Sequence, residues 1–306
     1  MNKAGIFFGI IWIALALFLS VVLAKGLTGK NTNIFRGTEN FMDEIEKEKN
    51  LEDERIFDAV ALDKISVSLA SASVYYIESP DSKIHVKLLG RWNSSEIPSI
   101  SCNNGSLYVK SPRVKLFFHF WQIQKKQVEI LIPANCINKN TEIKNECASG
   151  STHIRALQPG TIKLESASGS IHLDDCVAQS ISISAASGSI NINDCEFDIL
   201  KSEAASGSFH ANGKFNQLKI ECASGSINIE NNIPLKEDSS IEAVSGSIRL
   251  KIPEDSDYRV KYESMSGSFK DEITGNSGGR TGTERNGSGD VEIKLSTVSG
   301  SIRILK

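Results

Sequence analysis

The feature that most limits what this chain can become is a tetrad, Ser-Gly-Ser followed by Ile, Phe or Thr. Its glycine recurs at Gly150, Gly169, Gly188, Gly207, Gly225, Gly246, Gly267 and Gly300, at intervals of 19, 19, 19, 18, 21, 21 and 33 residues. A period near 20 belongs to a solenoid, in which each repeat is one coil that can bury its apolar face only against its neighbours. The columns around each glycine supply the geometry. Two residues after it stand Thr152, Ile171, Ile190, Phe209, Ile227, Ile248, Phe269 and Ile302; four after stand Ile154, Leu173, Ile192, Ala211, Ile229, Leu250, Asp271 and Ile304. Five before are Leu164, Ile183, Ile220, Ile241, Tyr262 and Leu295, and three before are small residues such as Cys147, Ser166, Ala185 and Ala204. Alternation by two is a strand with one buried face. Between −3 and +2 the phase slips by one, so the chain must bend at Ser-Gly, where glycine tolerates positive φ. Each coil therefore reads as strand, glycine corner, strand, polar turn, and stacked coils pair strand on strand in parallel.

The expected fold is all-β, a single-stranded parallel β-helix-like solenoid with coils of 19–21 residues. The solenoid domain is placed at 59–306, with degenerate coils over 59–140 and regular ones over 141–306. In the degenerate part, Ile65–Val74 keeps the register with Ala72 in place of the glycine, and Cys102–Val109 keeps it around Gly105. The turns Asp174-Asp175, Asn193-Asp194, Asn212-Gly213 and Asn231-Asn232 are rich in residues that bond their own backbone and tolerate left-handed conformations. Gly275 to Arg280 reads as a flexible excursion before the last coil.

The start of the chain has a different texture. After a four-residue tail, Gly5 to Ala24 is 20 residues without a charge, enough to span a hydrocarbon layer of about 30 Å as a helix. A retained transmembrane anchor is the expectation; a signal cleaved before Lys25 is the rival. Residues 25–58 read as a stalk, because Asp43 to Asp58 is dense in charge and its apolar residues are too sparse to bury a face. With a net charge of −3 over 306 residues, the chain lacks the basic excess that phosphate neutralisation needs, which argues against nucleic acid as partner.

These repeats resemble the bacterial β-strand-repeat family of unknown function labelled putative adhesin, the LiaG-like group. The resemblance rests on the alternating SASGSI and AVSGSI copies, on Val128–Pro133, on Ile252–Tyr258 leading into Met265-Ser266-Gly267, and on the ending Thr297–Ile302. It covers about residues 60 to 306. It implies an anchored, extracytoplasmic β-repeat protein and supplies no catalytic residues or cofactor.

Four constellations carry residue types that could do chemistry. Asp174, Asp175 and Asp194 fall on neighbouring coils, where a polysaccharide-acting enzyme would gather carboxylates, but turn chemistry already accounts for them. His153, His172 and His210 each lie three after a repeat glycine, and the first two would stack within reach of one transition metal; any polar residue serves equally in that outward column. Cys176 and Cys195 lie on adjacent coils, where a disulfide is conceivable. Arg113 to Gln124, with Phe117, Phe118, Phe120 and Trp121, is the one dense aromatic stretch; it reads as an end cap, or as a contact for a membrane surface or partner. The function expected is a binding, adhesin-like or structural envelope module with no cofactor, its partner an envelope protein or glycan. The alternatives are a regulatory accessory that signals through a membrane partner and, further off, a polysaccharide-acting enzyme.

Overall fold

The computed structural model describes residues 51–112 and 126–306. Gly5–Ala24, most of the stalk and the aromatic stretch lie outside them. Among the described residues no helix is long and apolar enough to cross a membrane. Strands dominate the described residues, which hold one short 3-10 turn at Ala134–Cys136.

The repeat positions behave as their columns require. At −7, −5, −3, +2 and +4 from the eight glycines, every side chain is buried except Ala204, which is partly so. Strands before the glycine stack in parallel to form one sheet. Glu142–Ser149 pairs with Thr161–Ser168, which pairs with Val177–Ser187, and so on through the coils. Strands after it form the second sheet, with Thr152–Arg155, Ile171–Asp174 and the start of Ile190–Ser206 in register. Seven of the eight glycines have φ between +122° and +150°. Ala72 does replace a repeat glycine: Leu69 pairs with Cys147 and Val74 with Thr152.

The ends depart from the sequence reading in three ways. First, Leu51–Asp58 is not stalk. It is an edge strand, antiparallel to Lys83–Leu89, and its five charged residues among eight leave the exposed edge unattractive to another chain. Second, Cys102–Val109 is not a degenerate coil. Ser99–Asn103 and Ser106–Lys110 form an antiparallel hairpin around Asn104-Gly105, both at positive φ. The Asn-Gly pair made a tight turn where a coil corner was expected, and Leu107 therefore stacks on Ile65 in the first sheet.

Third, the coils do not stack in sequence order at the far end. Glu292–Ser299 lies between Ser239–Ser245 and Tyr258–Ser266, and Ile302–Leu305 lies between Ile248–Lys251 and Phe269–Asp271. The last coil is thus inserted beneath the coil of Gly267. The residues at +4 account for this. Asp271 is fully buried and has its carboxylate satisfied by the Tyr258 hydroxyl at 2.6 Å and by the Ile273 and Thr274 amides. Those partners are available where the stack ends, whereas Ile302 and Ile304 suit an interior slot. The glycine-rich excursion is correspondingly ordered as a cap: Ser277–Gly278 and Thr281–Asn286 run antiparallel to the outermost strands. Gly278 and Gly282 lie against the Tyr262 hydroxyl, where a Cβ would collide with it, and the Tyr262 ring stacks on Phe269 at 3.8 Å.

Candidate binding surfaces

The outward column three residues after the glycines forms one straight ladder on the second sheet. In spatial order it reads Tyr75, His153, His172, Asn191, His210, Asn228, Arg249, Arg303, Lys270. His153 and His172 do meet as the spacing predicts. Their rings stack with centroids 4.6 Å apart and planes within 5°, and Tyr75 stacks on His153 at 4.4 Å. Stacked imidazoles hold their nitrogens side by side instead of converging them on one point, so the pair makes an aromatic platform with Tyr75. No group of three or more His, Cys, Asp or Glu disposed for a metal ion occurs among the described residues. Beside this ladder runs an unbroken column of serines from the tetrad, where Ser247 and Ser301 hydroxyls lie 3.3 Å apart.

The aspartate turns are built as turns. Asp175 and Asp194 have φ of 55° and 51°, and Asn193 donates from Nδ2 to Asp174 Oδ1 at 2.8 Å. All six cysteines are free. Cys176 and Cys195 are indeed neighbours on stacked coils, the Cys176 amide donating to Cys195 Sγ at 3.4 Å, but they stand as two thiols. Hydrogen bonding to Cys195 lowers the Cys176 thiol, while the same contact and burial raise that of Cys195. Phe117, Phe118, Phe120 and Trp121 lie outside the described residues. Trp92 is buried, its indole N–H donates to the Leu89 carbonyl, and the Lys126 ammonium lies over its ring at 5.6 Å.

On the outer face of the first sheet, charges occupy two adjacent columns. Glu146, Glu165, Glu203, Glu221, Glu242 and Glu263 stand four before the glycines, and Lys144, Lys163, Lys201, Lys219, Lys261 and Lys294 stand six before. Lys144–Glu146 and Lys201–Glu203 pair along their strands at 2.5 and 2.9 Å. Burial, joined by repulsion from the stacked neighbour, raises the carboxyls of Glu221 and Glu242.

The periodicity concealed one feature, a groove of about 500 Å³ where the segment around Ala134–Ile137 meets the coil turns. Ile137, Leu157, Pro159, Val177 and Ala178 form its apolar lining; Glu78, Lys139, Glu196 and Asp198 bring charge to it. Val177 is 41% exposed there. Glu196 is paired with Lys214 and Asp198 accepts from Asn216. The groove joins an irregular segment to regular coils, which is why no repeat column announces it. Apolar concavities with a few polar groups are the usual form of a ligand seat.

A family description, Toastrack DUF4097, matches residues 62–305. The chain belongs to that family. Its function is not defined by the description. A crystal structure of a "putative lipid binding protein" from Parabacteroides distasonis is similar with TM-score 0.52 and 17% identity, covering 83% of this chain and 96% of that one. A "putative adhesin" from Bacteroides fragilis aligns over 84% of this chain and 98% of that one, with TM-score 0.41 and 15% identity. At 17% identity the likeness to the Parabacteroides distasonis protein speaks to the fold alone. Comparison with curated proteins found no match.

Proposed function

We propose that this Toastrack chain is a membrane-anchored, extracytoplasmic binding module of adhesin-like or envelope-structural type that works without catalysis. The groove beside Val177 carries this reading. It is a concave, partly apolar seat on an otherwise regular stack, and its nearby carboxylates at Glu196 and Asp198 are already engaged with Lys214 and Asn216. Support also comes from the Parabacteroides distasonis protein of similar fold, which is described as a lipid binding protein. The anchor rests on the 20 uncharged residues from Gly5 to Ala24.

The test is retention of a soluble 51–306 domain on intact envelope. Starting at Leu51 keeps the edge strand that a boundary at residue 59 would remove. Val177→Lys, at a partly exposed position, should weaken retention about tenfold or more while leaving thermal unfolding within a degree or two. Equal retention of the variant and the parent would remove the groove from consideration. Protease added to spheroplasts should degrade the C-terminal domain of the full chain; full protection would contradict an extracytoplasmic placement.

A further inference from the structure

On the second sheet, three cations occupy consecutive rungs of the outward ladder. Arg249 is in register with Arg303, and Arg303 with Lys270. Neighbouring rungs in parallel strands are about 4.8 Å apart, and all three side chains are exposed. Insertion of the last coil is what sets Arg303 between the other two. Neither Arg249 nor Arg303 makes an ion pair among the described residues. Arg249 donates to Asn228 Oδ1 at 3.3 Å, whereas Lys270 is held by Glu272 at 2.8 Å and Lys251 by Glu230 at 2.7 Å.

Like charges directly opposite one another in a sheet are destabilising. The fold does not require them here, since the same column takes neutral Asn228 and Asn191 one and three rungs from Arg249. The chain as a whole carries −3, so two guanidinium groups on adjacent rungs, neither in a close ion pair and only Arg303 feeling the Glu272 carboxylate that Lys270 holds, are a local concentration against the net sign. Arginine presents a planar fork of donors suited to carboxylate or phosphate oxygens, and the Ser247 and Ser301 hydroxyls line its flank. We propose that this strip docks a linear polyanion, bearing one ionised group on each monomer and lying along the stacking axis. A thread meets only the ladder. A flat anionic bilayer would also face Glu230 and Glu272 in the next column, which opposes it.

The test uses the full chain in neutral detergent micelles, with polygalacturonate as probe, dextran as the uncharged control and phosphatidylglycerol mixed into the micelles as the competing anionic surface. Wild type should bind polygalacturonate and not dextran, with affinity falling steeply as salt rises. Arg249→Gln with Arg303→Gln should weaken it about tenfold or more and flatten the log–log salt slope by about two units, one per charge removed. Lys201→Gln with Lys219→Gln, a charge-matched change on the other sheet, should bind like wild type. Should the glutamine pair fail to fold, Arg249→Asn with Arg303→Asn restores a residue the column already carries. The groove variant Val177→Lys should leave polygalacturonate binding intact, which separates failure of this proposal from failure of the groove. Absence of wild-type binding, equal loss in the lysine pair, or displacement of the polymer by phosphatidylglycerol in the micelles would each overturn it.

Discussion

Gly188 sits at φ +122°, and a Cβ built there would overlap the Gly169 carbonyl of the coil below. Both facts act against any side chain: the conformation is strained for L-residues, at about 1–2 kcal/mol, and the overlap is with backbone, which cannot swing aside. Gly188→Val should therefore lower the unfolding midpoint by several degrees or more, whereas Ser189→Ala, at a partly exposed corner, should change it little; equal midpoints would mean the corner is not special. The inward column offers a paired test. Ile190 is 1% exposed between Ile171 and Phe209, so Ile190→Asp buries an unpaired charge and should cost several kcal/mol, while Asn191→Asp one position outward should be nearly silent. At this scale the sequence was highly legible, because a burial column needs only the spacing. What it hid were polar residues inside that column. Asn145 is buried because the Tyr76 hydroxyl donates to it and it donates to Thr152, and Tyr76 arrives from 69 residues away, beyond any local pattern.

Strands in the middle of the stack were readable as elements; strands at its edges were not. An interior strand alternates because one face is buried, and repetition multiplies the signal. Leu51–Asp58 leaves most of both faces to solvent, so its sequence resembles a charged spacer until its partner, Lys83–Leu89, is known. His85 on that partner reveals the contact, with Nδ1 2.9 Å from Glu54 and Nε2 3.0 Å from Asp81. The charged columns of the first sheet make a prediction proper to elements. Burial and the stacked Glu203 raise the Glu221 carboxyl. A raised folded value means that the folded state prefers the protonated form, so this contribution to stability is full below the unfolded carboxylate range and is lost as pH rises through the folded value. Glu221→Gln should then unfold at a higher temperature than the parent at pH 7, with the gap closing by about pH 4, below the unfolded value. A gap independent of pH would show that Glu221 is not strained by its neighbours in the ladder.

The order of coils belongs to the whole molecule, and local sequence does not specify it. The repeat says that coils stack; only the buried carboxylate of Asp271, needing the Tyr258 hydroxyl and free amides at the end of the pile, decides which coil is outermost. The consequence is that the C-terminus is an interior layer. Glu292–Ser299 and Ile302–Leu305 each pair on both sides, and Ile293, Leu295, Ile302 and Ile304 are at most 1% exposed. Burying four such side chains contributes roughly 1.5–3 kcal/mol each, about 6–12 kcal/mol together, which is comparable to the entire stability of an ordinary domain at 5–15 kcal/mol. Truncation after Asp290 therefore removes a middle layer and leaves Tyr258–Asp271 with its antiparallel cap nothing to dock on. Amide exchange should lose protection at Ser239–Ser245 and Ile248–Lys251 as well as at Tyr258–Ser266, while Thr161–Ser168, several coils away, should retain the most, since each coil is supported chiefly by its neighbours. In a stack ordered by sequence the last coil would be terminal, Tyr258–Ser266 would shield Ser239–Ser245 directly, and the same truncation would leave Ser239–Ser245 protected. Persistent protection there would disprove the inserted order.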